Sequence, residues 1–349
     1  RDIEDFFDKI VSNKKFLYSA LYTFSNYSLL EYFSNNGLEY KVELDEKVYT
    51  KSDKADEVIE LLRNDLEKNK VKVRYNTMIS DLVVEDETIK GVITSYGEKI
   101  LGDKVIITTG GKSFPHTGSD GAMYEILEKH GHTITPIHAA LIPLVIKEEF
   151  VKKLQGVAMK DVVVSAKLKK KKIEKFGDML FTHFGISGPA VLKLSSYISK
   201  ALSEGEVEVT LDFLKDKSKD EISQIIRSNP NKTVLNNLRG VLPQNFLKVV
   251  FEMLELTEVK ASDLKKEDEN KIINYMKEMK LTARETLSIK AAQVTSGGVK
   301  VKEINSSTME SKIVKNLYFA GEVIDIDAET GGYNLQMAFS TGYLAGSDF

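Results

Sequence analysis

Two apolar runs in this chain stop on glycine: Lys104-Val105-Ile106-Ile107-Thr108-Thr109-Gly110-Gly111 and Leu317-Tyr318-Phe319-Ala320-Gly321. In open α/β sheets, ligands sit beyond the carboxyl ends of the strands. Glycine there admits bare backbone to a ligand, because it lacks a Cβ and accepts unusual dihedrals. Thr109, Gly110, Gly111 and Gly321 are therefore candidate dinucleotide contacts. Acidic groups follow the second run, and Gly331-Gly332-Tyr333-Asn334-Leu335 opens a last helix rich in small residues. A carboxylate at Glu322 or Asp325 suits hydrogen bonds from ribityl hydroxyls. The N–H groups of Gly332, Tyr333 and Asn334 would point along the helix axis. A helix N-terminus stabilises the negative charge that a reduced flavin gathers at its N1/C2=O edge.

Three further segments carry candidate groups. Lys112 to Gly121 is dense in turn formers and hydroxyls and leads into a helix over 122–130, whose N-terminus could meet an anion. His116 lies in it and reads as part of a loop lining the cofactor. His183 sits on a turn before Gly185-Ile186-Ser187-Gly188-Pro189, where functional residues concentrate. It is either a proton donor near neutral pH or a histidine that ties its loop down. Gln293-Val294-Thr295-Ser296-Gly297-Gly298 reads equally as a strand with a tight turn or as a flavin contact.

The elements that must position these groups follow from periodicity. Lys41-Val42-Glu43-Leu44 and Val71-Lys72-Val73-Arg74-Tyr75 alternate as short strands. Between them, Ser52 or Asp53 caps a helix with an apolar stripe at Val58, Leu61, Leu62 and Leu66. Three short strands are predicted around 79–84, 90–95 and 98–101, before the buried strand ending at Gly111. From Pro136 the texture changes: strands at 141–146, 161–168 and 206–213, then helices at 218–228, 231–239, 243–256 and 266–279. Lys169-Lys170-Lys171-Lys172 reads as a solvated hairpin tip. Strand character returns after Leu287, and 335–346 is helical.

Composition narrows the function. With 49 Lys and Arg against 52 Asp and Glu, net charge is −3, which argues against nucleic acid and anionic membrane as partners. No apolar run approaches the roughly 18 residues that span a bilayer. Cysteine is absent, which excludes disulfides, thiolate metal sites and redox-active cysteine pairs. None of the five histidines forms an H-x-x-x-H pattern, so no metal site is expected. The expected compartment is cytoplasmic, and nothing in the sequence fixes an oligomeric state.

Several blocks in order resemble the bacterial YhiN-type flavoproteins, a group that includes aminoacetone oxidases and enzymes linked to bile-acid reduction. They are Phe16-Leu17-Tyr18-Ser19-Ala20-Leu21, Gly118-Ser119-Asp120-Gly121, Phe181 to Pro189, Gln293 to Val299, Thr308-Met309-Glu310-Ser311-Lys312 and the segment from Phe319 to Gln336. The resemblance implies an α/β fold: a glutathione-reductase-like FAD-binding domain split by an inserted domain with a β-barrel-like part and a helical part. The expected division is 1–135 and 293–349 for the FAD-binding domain and 136–292 for the insertion, its helical subdomain at about 216–280.

The resemblance implies FAD as cofactor and an oxidoreductase acting on a small organic substrate. Oxidation of a small amine and reduction of an unsaturated compound both stay open, with NAD(P)H as an electron donor for the latter. A non-catalytic flavin-holding or RNA-associated module is the alternative. Such flavoproteins open on a G-x-G-x-x-G turn that binds the pyrophosphate. No such turn occurs here. The polypeptide as it stands is therefore expected to hold FAD weakly or not at all, and either the native protein is longer or this chain is a fragment.

Overall fold

A computed structural model describes residues 2–43, 46–169 and 171–347. The chain divides into two compact units, Arg1–Ile137 with Val294–Phe349, and His138–Gln293.

In the first unit, Val105–Ile107 pairs in parallel with Leu317–Phe319, Leu317 opposite Val105 and Phe319 opposite Ile107. Parallel strands are buried on both faces and so are apolar throughout; Leu317, Tyr318 and Phe319 are all buried. Beside this pair lies an antiparallel meander of Ile79–Glu85, Thr88–Thr94 and Lys99–Leu101. Its first reversal is tight, with Asp86 and Glu87 both at positive φ. The second strand therefore opens at Thr88, opposite Glu85, earlier than the pattern alone indicates. The closing helix, Tyr333–Gly346, buries Met337, Leu344 and Ala345 in the same core.

Four expectations for the segment between 41 and 75 need correction. Val71–Tyr75 is not a strand: Val71, Val73 and Tyr75 are exposed, and alternation without a neighbouring edge makes no ladder. Arg74 instead forks onto Glu98 through Nη1 and Nη2 at 3.0 and 2.7 Å. The helix Asp56–Lys68 forms, but none of its residues is buried, so the Val58/Leu61/Leu62/Leu66 stripe faces no core. Its N-cap is Ala55, without a side-chain cap; Asp53 is engaged by Lys41 at 2.7 Å. The hairpin Tyr40–Val42 with Val48–Thr50 replaces the strand placed at 41–44, of which Leu44 lies outside the described residues.

The second unit is a closed antiparallel barrel in the order Lys171–Phe181, Gly185–Ser187, Leu144–Ile146, Met279–Thr286, Val207–Asp212, Ala158–Leu168. Alternate residues fill it, as the two-residue period requires: Val162, Val164, Ala166, Val207, Val209, Leu211, Met279, Leu281 and Ala283 are buried. Helices Lys219–Ile226, Val234–Asn237, Gln244–Met253 and Lys266–Lys277 join the same core. Among the elements that escaped the pattern reading are the helix Pro189–Leu202, which opens on proline at its first turn, and the strands Gly185–Ser187 and Met279–Thr286. The lysine run flanks the turn between Ala158–Leu168 and Lys171–Phe181; Lys170 lies outside the described residues, and Lys172 pairs with Glu174 at 2.6 Å.

Among the described residues no helix is long and apolar enough to cross a membrane. No group of three His, Asp or Glu side chains among them is placed to hold a metal ion.

Candidate functional site

Parallel pairing puts the carboxyl ends of Val105–Ile107 and Leu317–Phe319 at one end of the first unit, so both glycine turns emerge together. There Glu322 joins two segments: its Oε2 accepts from Gly111 N at 3.0 Å and its Oε1 from Thr295 N at 2.9 Å. Thr295 is wholly buried. Its Oγ1 accepts from Lys112 N at 2.8 Å and Ser113 N at 3.0 Å, and donates to Ser113 Oγ at 3.2 Å. Three successive backbone N–H groups, of residues 111, 112 and 113, are thus held by two side chains from elsewhere in the chain.

This packing explains the glycine at 111. A Cβ there would lie 2.3 Å from Thr295 Oγ1 and 2.9 Å from Glu322 Oε2, closer than any real contact. Burial raises the Glu322 carboxyl, against the two backbone donors that lower it.

The acidic segment is sorted by depth. Asp325 is half-buried, and its backbone carbonyl accepts from Asn13 Nδ2 at 2.6 Å. Asp327 is wholly buried; its Oδ1 meets Ser296 Oγ at 3.2 Å, and its Oδ2 has no hydrogen-bond partner. Burial pushes its carboxyl up to about 6, helped by the charges of Asp325 and Glu322 and opposed by hydrogen bonds from Ser12 and Ser296. Ser119 Oγ and Tyr124 OH are also buried without partners. Burial and the charges of Glu322 and Asp325 raise the Tyr124 phenol well above its usual value.

The turn at Gly331-Gly332 is tied to the segment before it. Asn334 Oδ1 accepts from Ala328 N at 2.9 Å while its Nδ2 donates to Ala328 O at 2.9 Å. Tyr333 sets its ring edge-on to Phe6 at 5.0 Å. A Cβ on Gly331 would strike Tyr333 Cε2 at 2.7 Å, whereas one on Gly332 meets nothing within 4 Å. Gly332 is nonetheless at φ +86° as N-cap of Tyr333–Gly346, and no side chain caps that helix. Leu335 stands 68% exposed at its first turn. At the start of the helix Ala122–Lys129, Asp120 Oδ1 accepts from Ala122 N at 2.9 Å.

The fold thus gathers Gly110, Gly111, Gly321 and Glu322 around one point. Thr109 is exposed beside them, while Gly321 N donates to Thr341 Oγ1 at 2.9 Å, tying the turn to the last helix. Gly331, Gly332, Tyr333, Asn334 and Leu335 form the helix start. His116 is exposed, edge-on to Phe114. His183 belongs to the barrel unit, exposed in the turn between Lys171–Phe181 and Gly185–Ser187, its ring edge-on to Phe184 at 4.9 Å. Pattern reading had missed Thr295 and Ser113 as the turn's partners, and Asp327 as the buried acid. The one signal for Asp327 was its place between the buried residues Ile326 and Ala328.

A Rossmann-like unit with paired glycine turns, in a chain that also carries a six-stranded barrel and helices, defines the class. The model of the HI0933-like protein Rossmann domain matches residues 1–348, and the chain belongs to that family, the YhiN-type group its motif blocks resemble. It is 35% identical over 343 residues to the 3-dehydro-bile acid delta(4,6)-reductase of Clostridium scindens, covering 95% of this chain and 82% of that protein. It is 29% identical to the ribosomal RNA dihydrouridine synthases of Haemophilus influenzae and Escherichia coli, over 95% and 96% of this chain and 81% and 82% of theirs.

Proposed function

We propose that this protein is an FAD-dependent oxidoreductase that reduces a carbon–carbon double bond conjugated to a carbonyl in a small organic substrate. The observation that carries the reading is the pair of glycine turns at adjacent strand ends, with the uncapped helix start at Gly332. These residues suit a flavin dinucleotide. Gly331 and Gly332 open the helix without a side chain, the space where a Gly332 Cβ would stand is open, and unpartnered buried oxygens lie at Ser119, Tyr124 and Asp327. Bound FAD supplies two-electron transfer, the electron chemistry that the protein's side chains lack. The chain's own part is to hold and orient: Gly110, Gly111 and Gly321 admit the cofactor, Glu322 and Asp325 face its polar chain, and the Tyr333–Gly346 N-terminus stabilises negative charge. His183 is the proposed proton donor to substrate.

The relatives favour reduction over amine oxidation. One is named for reducing a delta(4,6) steroid acid; the others are named for making dihydrouridine, which is uridine with two hydrogens added across a conjugated double bond. A second reading, with uridine in RNA as the substrate, draws on the charge of residues 138–293: 27 Lys and Arg against 21 Asp and Glu, net basic in a chain that is acidic overall. We place either activity in the cytoplasm, with NAD(P)H as electron donor.

The test uses full-length protein loaded with FAD, reduced without oxygen and mixed separately with a conjugated enone steroid and a uridine-containing RNA, and in a third sample left oxidised and mixed with a small amine. Return of the yellow oxidised spectrum with the enone supports the first reading and return with RNA alone the second. No FAD uptake, or reduction of oxidised flavin by the amine with neither double bond consumed, would sink the proposal.

A further inference from the structure

We infer that Thr295 is a positioning residue: its hydroxyl sets the turn Gly110–Ser113 in the conformation that receives the cofactor. The inference rests on the flavin reading above and adds a residue that the glycine pattern does not contain.

Successive backbone N–H groups in a tight turn form a concavity that attracts an anion. Here that concavity is already filled. Glu322 takes the N–H of Gly111, and Thr295 takes those of Lys112 and Ser113. The turn therefore offers a ligand its carbonyls, and no phosphate competes for its donors. Thr295 is the joint of this arrangement, since its own N–H donates to Glu322 and its hydroxyl proton goes to Ser113 Oγ. It also occupies the volume a side chain at 111 would need. Among the hydrogen bonds of the described residues, Thr295 alone links Glu322 to the turn at Lys112 and Ser113.

A hydroxyl is required at this position. Valine has the same shape but leaves the Lys112 and Ser113 N–H groups without an acceptor, one of them buried. Serine keeps the acceptor and loses only a methyl group.

The test compares Thr295→Val and Thr295→Ser in the full-length protein, reading three quantities. Amide hydrogen exchange at Lys112 and Ser113, measured without FAD, should quicken at least tenfold in Thr295→Val and stay within about twofold of wild type in Thr295→Ser. The FAD dissociation constant should rise at least tenfold in the valine variant and return to near wild type with serine. The midpoint potential of residual bound flavin should shift with valine and not with serine, a change that simple loosening of the fold would not produce. Faster exchange with unchanged FAD affinity and potential would overturn the inference and leave Thr295 a structural residue. If wild-type protein takes up no FAD, the flavin reading itself falls, and unchanged exchange in Thr295→Val separately refutes the hydrogen-bond argument. Should Thr295→Val fail to fold, Ser113→Ala removes only the acceptor of the Thr295 proton. It is expected to weaken FAD about threefold, and no change there would likewise overturn the inference.

Discussion

Glu322 shows why a carboxylate and its amide are different residues at a buried joint. Both oxygens accept from backbone donors, and glutamine has only one oxygen to offer. Glu322→Gln should turn an N–H₂ toward Gly111 or Thr295 and lower stability by about 1–3 kcal/mol, which chemical denaturation at neutral pH would measure; an unchanged midpoint would show that the joint is slack. At Asp327 burial raises the carboxyl to about 6. A group whose pKa is higher in the folded than in the unfolded state contributes stability that is complete below the unfolded value and lost as pH rises through the folded one. The protein should therefore lose on the order of 3 kcal/mol between about pH 4 and pH 7 through this residue. Asp327→Asn should flatten that part of the stability profile, and an identical slope in the variant would refute the assignment. For His183, His183→Ala should slow turnover roughly 10²–10⁴-fold with FAD binding retained. A small kinetic change with lower stability would mark it as a loop tether.

At the scale of elements, the last helix carries the clearest expectation. Gly332 sits at φ +86° with open space around its missing Cβ, so substitution there meets strain in the backbone and no clash with neighbours. Gly332→Val should destabilise by about 1–2 kcal/mol, and weaken FAD binding if a ligand uses that space. Gly332→Asn, which tolerates the left-handed region, should do neither to the same degree; equal loss in both would point to a steric cause. What pattern reading could see here divides along physical lines. The runs ending at Gly111 and Gly321 were legible because parallel, doubly buried strands write themselves as unbroken apolar stretches. The barrel interior was partly legible through its two-residue period. Val71–Tyr75 has the same alternation and forms no strand, because a ladder needs an edge beside it and a single sequence does not display edges. The stripe of Asp56–Lys68 is apolar at helical spacing, yet none of its residues is fully buried. Thr295 was illegible as a partner of the first turn, since the contact spans 183 positions of chain.

Across the whole molecule, the two units carry buried carboxylates of opposite temper. In the barrel unit Glu269 is fully buried, and Arg227 reaches it through Nε at 3.0 Å and Nη2 at 2.5 Å, with Ser223 alongside. Burial pushes that carboxyl up, but the hydrogen bonds and charge of Arg227 outweigh it and hold the group below its usual value. Its contribution is therefore present above the unfolded pKa and lost as pH falls through the folded one, the reverse of Asp327. Glu269→Gln should cost about 1–3 kcal/mol at pH 7 and much less near pH 3. Denaturation followed at both pH values checks this, and equal losses would contradict it.

The order of the chain sets a sequence of events in time. The pairing of Val105–Ile107 with Leu317–Phe319 closes a loop of roughly 200 residues, and the entropy of closure grows with length. Most of that loop is the barrel unit, a continuous stretch whose own ends meet where Gln293 N donates to Leu141 O at 3.5 Å. On the other side of the junction, Thr135 N donates to Gly298 O at 2.9 Å. Once the barrel has folded, it acts as a short clip between residues 135 and 298, and the remaining search is that of a chain roughly a quarter as long. By the logarithmic law this lowers the closure cost by roughly 1 kcal/mol. All six barrel strands, from Leu144 to Thr286, precede Leu317–Phe319 in the chain, so the order of the sequence favours closing the barrel first.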